Sequence, residues 1–156
     1  MLYAINSIGI LNMIMNILKD CKCNIRYASN KDYSFLITND LHISEEELYK
    51  SIDDNKVIVL TINDKIIGWL RYNLFWDNIP FMNMLYLLEE YRRVGLGSKL
   101  VSFWENEMKN KGYENVLTST QSNEDAQHFY RKIGYKEIGG FTLENDPYEI
   151  IFEKRL

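Results

Sequence analysis

Between Phe81 and Leu100 the chain passes without a spacer from an apolar run to a short polar loop and then into a helix pattern, and this succession constrains the fold more than any other stretch. The run Phe81–Leu88 (FMNMLYLL) reads as a central strand buried on both faces. After Glu89, Glu90 and Tyr91, the segment from Leu96 to Lys111 carries apolar residues at 96, 100, 101, 104 and 108, a helical stripe ended by Gly112. Strand, loop and helix in this order make an anion cradle. Without Cβ atoms at Gly95 and Gly97 the backbone turns tightly, and the unpaired N–H groups of the helix start point outward at a pyrophosphate, favoured by the helix dipole. Arg92 and Arg93 add cationic donors at its mouth. The loop lacks the Lys-Ser/Thr pair of a nucleoside-triphosphate loop and the third glycine of the dinucleotide fingerprint. A phosphate-bearing ligand of another kind is what remains.

The flanking sequence supplies a mixed sheet. Ile25–Ala28 alternates like a strand, and Ser29, Asn30 and Asp32 start a helix running to about Ile37. Ser44 with Glu47 has capping-box spacing for a second helix to about Ile52. Lys56–Ile62 and Lys65–Tyr72 are β-rich runs joined by Asn63-Asp64, a hairpin signal, and Asn73–Pro80 reads as an aromatic loop. Asn115–Thr118 is strand-like. Asn123 is placed to cap a helix whose inner face carries Ala126, Phe129 and Ile133 and whose end is Gly134. Tyr135–Phe141 and Tyr148–Glu153 close as strands around Asn145-Asp146-Pro147. The order βααβββαβαββ predicts an α/β fold of the α+β kind, a mixed sheet with helices on its faces.

Composition narrows the partners. At 156 residues and 46% hydrophobic, the chain has material for one domain with a substantial core. Lys+Arg 18 against Asp+Glu 22 gives a net charge of −4 without a basic cluster, which argues against nucleic acid. Cys21 and Cys23 are too close for an easy disulfide and lack the partners of a zinc site, so free thiols in a reducing, cytoplasmic compartment and no metal are expected. Met1–Leu18 holds no charged residue. Its length approaches that of a membrane span, roughly 20 residues. Lys19, Lys22 and Arg26 follow it instead of preceding it, which is wrong for export, and Asn6, Asn12 and Asn16 dilute it. Residues 1–23 are therefore read as an apolar extension, helical with Ile10, Ile14, Ile17 and Leu18 on one face, and 24–156 as the domain. Membrane insertion and a later start at Met13 or Met15 stay open.

Arg92-Arg93-Val94-Gly95-Leu96-Gly97 resembles the Arg/Gln-x-x-Gly-x-Gly/Ala loop of the GCN5-related N-acetyltransferase (GNAT) superfamily. A second segment, Asn123-Glu124-Asp125-Ala126-Gln127-His128-Phe129-Tyr130-Arg131-Lys132-Ile133-Gly134-Tyr135, is similar to that superfamily's Asn-x-x-Ala-x-x-Phe-Tyr-x-x-x-Gly-Phe/Tyr motif. The resemblance covers Ile25 to about Leu156. It implies a mostly antiparallel twisted sheet with a splayed parallel strand pair, acetyl-CoA as cosubstrate, and no metal. It further implies that the pantetheine arm lies in the splay and that an N–H near Leu87 donates to the thioester oxygen. Val94, Gly95, Leu96, Gly97, Ser98 and Lys99 would hold the pyrophosphate through their amides, with Arg92 and Arg93 beside them. Asn123 would contact the cofactor or cap its helix, and Tyr130 would be the general acid toward the departing thiolate.

The same resemblance leaves the general base unassigned. Family members with an identifiable base carry Glu or His at positions matching Asn83 and Phe81, neither of which takes a proton. A water relay from Glu89 or Asp77, or an amine that arrives neutral, are the alternatives. His128 and His42 are read as solvent-facing or capping. The acceptor region would comprise Ser29–Asp54 and Tyr72–Pro80, with Tyr72, Phe75 and Trp76 as an aromatic wall beside Asn83, and Asp77 attracting a cationic amine. The acceptor would be the amine of a small molecule or a peptide, and paired terminal strands would support a homodimer. A CoA-binding module without turnover is the competing reading, suggested by the missing base.

Overall fold

A computed structural model describes residues 22–156. The expectations for Met1–Leu18 and Cys21 lie outside the described residues. β1 (Cys23–Tyr27) leads through a short 3-10 turn, Asn30–Asp32, into α1 (Tyr33–Asn39) and α2 (Glu45–Asp53). β2 (Val57–Ile62), β3 (Lys65–Phe75) and β4 (Ile79–Leu87) follow, and a second 3-10 turn, Glu89–Tyr91, precedes α3 (Leu96–Asn110). β5 (Asn115–Gln121), α4 (Ala126–Lys132), β6 (Lys136–Phe141) and β7 (Glu149–Arg155) complete the chain. Among the described residues no helix is long and apolar enough to cross a membrane.

Local chemistry accounts for these boundaries. The Ser44 hydroxyl accepts the Glu47 N–H at 3.3 Å, so the expected cap of α2 is present. Before α1, the Asp32 carboxylate accepts the Ser29 N–H at 2.8 Å and both ends of the Arg26 guanidinium at 2.7 and 2.8 Å, which ties β1 to the first turn. Asn63 and Asp64 both have positive φ, 49° and 64°, the conformation a tight β2–β3 hairpin requires.

Two local expectations are corrected. Asn73–Pro80 is not a loop: β3 continues to Phe75, β4 begins at Ile79, and the turn is carried by Trp76 and Asp77 at φ 50° and 63°. The helix after β5 begins at Ala126, three residues after Asn123, and its inner face centres on Tyr130, while Ala126, Phe129 and Ile133 are only half-buried.

The seven strands form one sheet in the order β1-β2-β3-β4-β5-β7-β6. It is mostly antiparallel, with β4 and β5 as the parallel pair. The described residues divide into two compact units, 22–69 with 86–100, and 70–85 with 101–156. In the first, Leu36, Leu48, Ile58, Leu60 and Trp69 are fully buried; in the second, Leu70, Met82, Trp104, Met108 and Phe152 are. Each such side chain contributes about 1.5–3 kcal/mol relative to exposure.

Candidate active site

In the first unit, the end of β4 and the start of α3 bracket the glycine loop. Gly95 adopts φ 86°, with open space where a Cβ would stand. Arg93, two residues earlier, is also left-handed at φ 63°, an uncommon state for a residue with a long side chain. The Lys99 N–H donates to the Gly95 carbonyl at 3.2 Å, so Lys99 supplies the first helical hydrogen bond with its own amide. That leaves the amides of Leu96, Gly97 and Ser98, the first turn of α3, with no preceding helical carbonyl to bind. Of the six amides read as phosphate donors, that of Lys99 is therefore engaged within the helix.

Arg92 turns back from this cradle. Its Nε donates to the Leu87 carbonyl at 2.8 Å, and its guanidinium lies over the Tyr86 ring at 5.0 Å. Tyr86 in turn stacks on Trp69 at 4.6 Å between centroids, and the Trp69 indole N–H donates to Asp40 at 3.2 Å. Beneath this strand end lies Gly68, where a Cβ would run into the Leu87 side chain and come within 2.7 Å of the Tyr86 carbonyl oxygen. A glycine inside the β-rich run KIIGWLRY is the sequence sign of such a close backbone approach.

In the second unit, β4 and β5 part. Their parallel register holds Phe81 against Leu117 and Met82 against Thr118, while β5 keeps its antiparallel ladder with β7 as far as Gln121 against Glu149. At the parting point the Thr118 hydroxyl donates to the Met82 carbonyl at 3.0 Å. The Tyr130 phenol meets the same threonine. Only 6% exposed, Tyr130 packs its ring on Tyr135 and Phe152 at 5.7 and 5.9 Å. Burial pushes its pKa up, hydrogen bonding with Thr118 pulls the other way, and the carboxylates of Glu124 and Glu149 add to the rise. The phenol therefore stays protonated at neutral pH. From sequence Thr118 is only a strand residue, because its role depends on a strand pairing remote along the chain.

The remaining candidates scatter. Tyr72 is 4% exposed, packs on Trp104 at 5.8 Å and accepts from Lys111 Nζ at 3.2 Å. Alternation along β3 puts it on the opposite face from Phe75. Phe75 lies tilted against Trp76 at 4.7 Å and approaches Phe81 at 6.0 Å, forming an aromatic cluster at this turn. Trp76 is 76% exposed at the turn, and Asp77, Asn83, Asn123, His42 and His128 are exposed as well. Among the described residues no group of three or more His, Cys, Asp or Glu is gathered as a metal site.

Residues 11–135 match the family model described as Acetyltransferase (GNAT) family. A GNAT-family acetyltransferase structure from Bacillus cereus ATCC 10987 superposes with a TM-score of 0.71 at 24% identity, over 86% of this chain and 97% of that one. The PaiA N-acetyltransferase of Thermoplasma acidophilum, solved with coenzyme A, gives 0.72 at 21% identity over 86% and 99%. The ribosomal-protein-S18-alanine N-acetyltransferase of Escherichia coli gives 0.70 at 18% identity over 86% and 94%. At these identities the structures establish a shared fold.

Proposed function

Since the chain belongs to the acetyltransferase (GNAT) family, we propose that it transfers the acetyl group of acetyl-CoA to a primary amine of a small molecule or peptide, by direct attack in a ternary complex. The observation that carries this reading is the buried, protonated Tyr130 phenol on Thr118, at the register where β4 and β5 part. Coenzyme A in the related Thermoplasma acidophilum enzyme supports the cosubstrate.

In this reading the amides of Leu96, Gly97 and Ser98 receive the pyrophosphate, with Val94 and Gly95 shaping the turn and Arg93 adding charge. The Leu87 N–H donates to the thioester oxygen and stabilises the negative charge that develops there as the amine attacks. The carbon–nitrogen bond forms, the carbon–sulfur bond breaks, and Tyr130 gives its proton to the leaving thiolate. The raised Tyr130 pKa suits an acid and disqualifies it as the base. Asn83 and Phe81 on β4 carry no base, so one ammonium proton leaves to water before attack, and the second, shed by nitrogen as the amide forms, returns through water to Tyr130. The acidic balance of the chain favours a cationic amine. The free thiol of Cys23 accords with a cytoplasmic setting.

Thiol release from acetyl-CoA in the presence of an amine panel tests the proposal. Amine-dependent release with matching amide formation is expected. Saturable CoA binding with no release across a broad panel would instead favour a CoA-binding module, the reading that the missing base supports.

A further inference from the structure

The motif that suggests Arg92 as a phosphate ligand does not require its side chain to be one, and the geometry gives that side chain different work. We infer that Arg92 is a positioning residue for the C-terminal end of β4, acting through the Leu87 peptide. Its catalytic consequence rests on the function proposed above; its structural part does not.

The Leu87 carbonyl and the Leu88 N–H belong to one rigid peptide plane. Arg92 Nε holds the carbonyl at 2.8 Å, and the Leu88 N–H donates to the Ile67 carbonyl on β3 at 2.9 Å. Both polar ends of that plane are thus fixed from opposite sides. In extended backbone a residue's N–H and C=O point the same way, so the Leu87 N–H faces away from β3, on the side of the Arg92 contact. A guanidinium bonded to the Leu87 carbonyl sets this direction and adds positive potential beside the amide that meets the thioester oxygen.

The guanidinium is itself held. It lies over Tyr86, which stacks on the 1%-exposed Trp69, and the Trp69 N–H is bonded to Asp40, 2% exposed at the end of α1. The second Asp40 oxygen accepts the His42 N–H at 3.2 Å, and Phe35 meets Trp69 edge-on at 6.1 Å. Gly68 lets the Tyr86–Leu87 backbone lie against β3 with no Cβ between. The strand end is therefore clamped by Arg92 on one side and seated on Gly68 on the other.

Three substitutions separate a strut from a phosphate ligand. Gln places its Nε2 as many bonds from the backbone as Arg places Nε, in a planar group, but has no charge; Lys keeps the charge and loses both the donor position and the plane. Each variant is assayed with acetyl-CoA and with acetyl-pantetheine, a thioester that lacks the pyrophosphate. Arg92→Ala is expected to lower kcat about tenfold with both thioesters, Arg92→Gln to recover most of that loss, and Arg92→Lys to recover little. A loss confined to acetyl-CoA, seen in KM and repaired by Lys, would overturn the inference. Amide hydrogen exchange without any ligand supplies the independent arm. Leu88 protection is expected to fall in Arg92→Ala and Arg92→Lys but to persist in Arg92→Gln, and unchanged protection in all three would overturn the strut. Should the wild type turn over neither thioester, the proposed function fails while the exchange data still decide on Arg92.

Discussion

The Thr118 hydroxyl donates to the Met82 carbonyl oxygen at 3.0 Å, bridging β5 to β4 at the register beyond which the strands part. The same threonine hydroxyl hydrogen-bonds with the Tyr130 phenol. One hydroxyl thus closes the paired part of the strands and, in the proposed mechanism, holds the phenol that serves as the acid. Thr118→Val keeps the shape and removes both bonds. The expected outcome is a fall in kcat of about tenfold with a stability loss of about 1 kcal/mol, read by steady-state kinetics and thermal melting. Full activity would dissociate Thr118 from Tyr130.

Tyr130→Phe is expected to lower kcat by about 10²-fold or more, the scale of a lost general acid, while CoA affinity stays within a few-fold of wild type. The pH profile carries a second signature. Burial, aided by Glu124 and Glu149, raises the phenol pKa, so the proton is retained above the usual tyrosine value of about 10. Wild-type kcat should therefore show no alkaline decline from Tyr130 below about pH 10. Such a decline, absent in the Phe variant, would show that the phenol titrates in the accessible range.

Acid stability should depend on Asp32. Burial pushes its pKa up, but the Arg26 hydrogen bonds, the Ser29 N–H and the Arg26 charge outweigh that and hold it below the ordinary carboxylate value. A depressed folded-state pKa contributes stability above the unfolded value, about 3.9, and the contribution is lost as pH falls through the folded value. Asp32→Asn should cost about 2 kcal/mol at pH 7 and much less at pH 2, measured by denaturant unfolding at both. An equal cost at the two pH values would exclude a charge-dependent role.

Legibility follows the range of the interactions. The glycine loop, the Ser44 cap and the Asn63-Asp64 turn are local devices, and their residues announce them. Trp76-Asp77 defeats the same logic, because a tight turn with two positive φ angles normally advertises itself with Asn or Gly, and a bulky Trp there signals no turn. Pro80 and the flanking asparagines reinforce the mistaken loop. On α4, Phe129 and Tyr130 are adjacent and equally suited to the core by composition; only the packing on Tyr135 and Phe152 decides for Tyr130. Proximity in sequence groups Tyr72 with Phe75, and strand alternation puts them on opposite faces once β3 is known to reach Phe75. Thr118 and Arg92 take their meaning from β4, through contacts that no spacing rule encodes.

The most direct test is a calorimetric titration of acetyl-CoA and CoA into the wild-type protein and into Gly97→Trp, whose indole would fill the first turn of α3. Saturable one-to-one binding to the wild type is predicted, and none to a Gly97→Trp protein that retains its fold by circular dichroism. A folded wild type that binds neither compound, or a Gly97→Trp variant that binds them as well as wild type, would contradict the claim that the Arg92–Lys99 loop is a coenzyme A cradle.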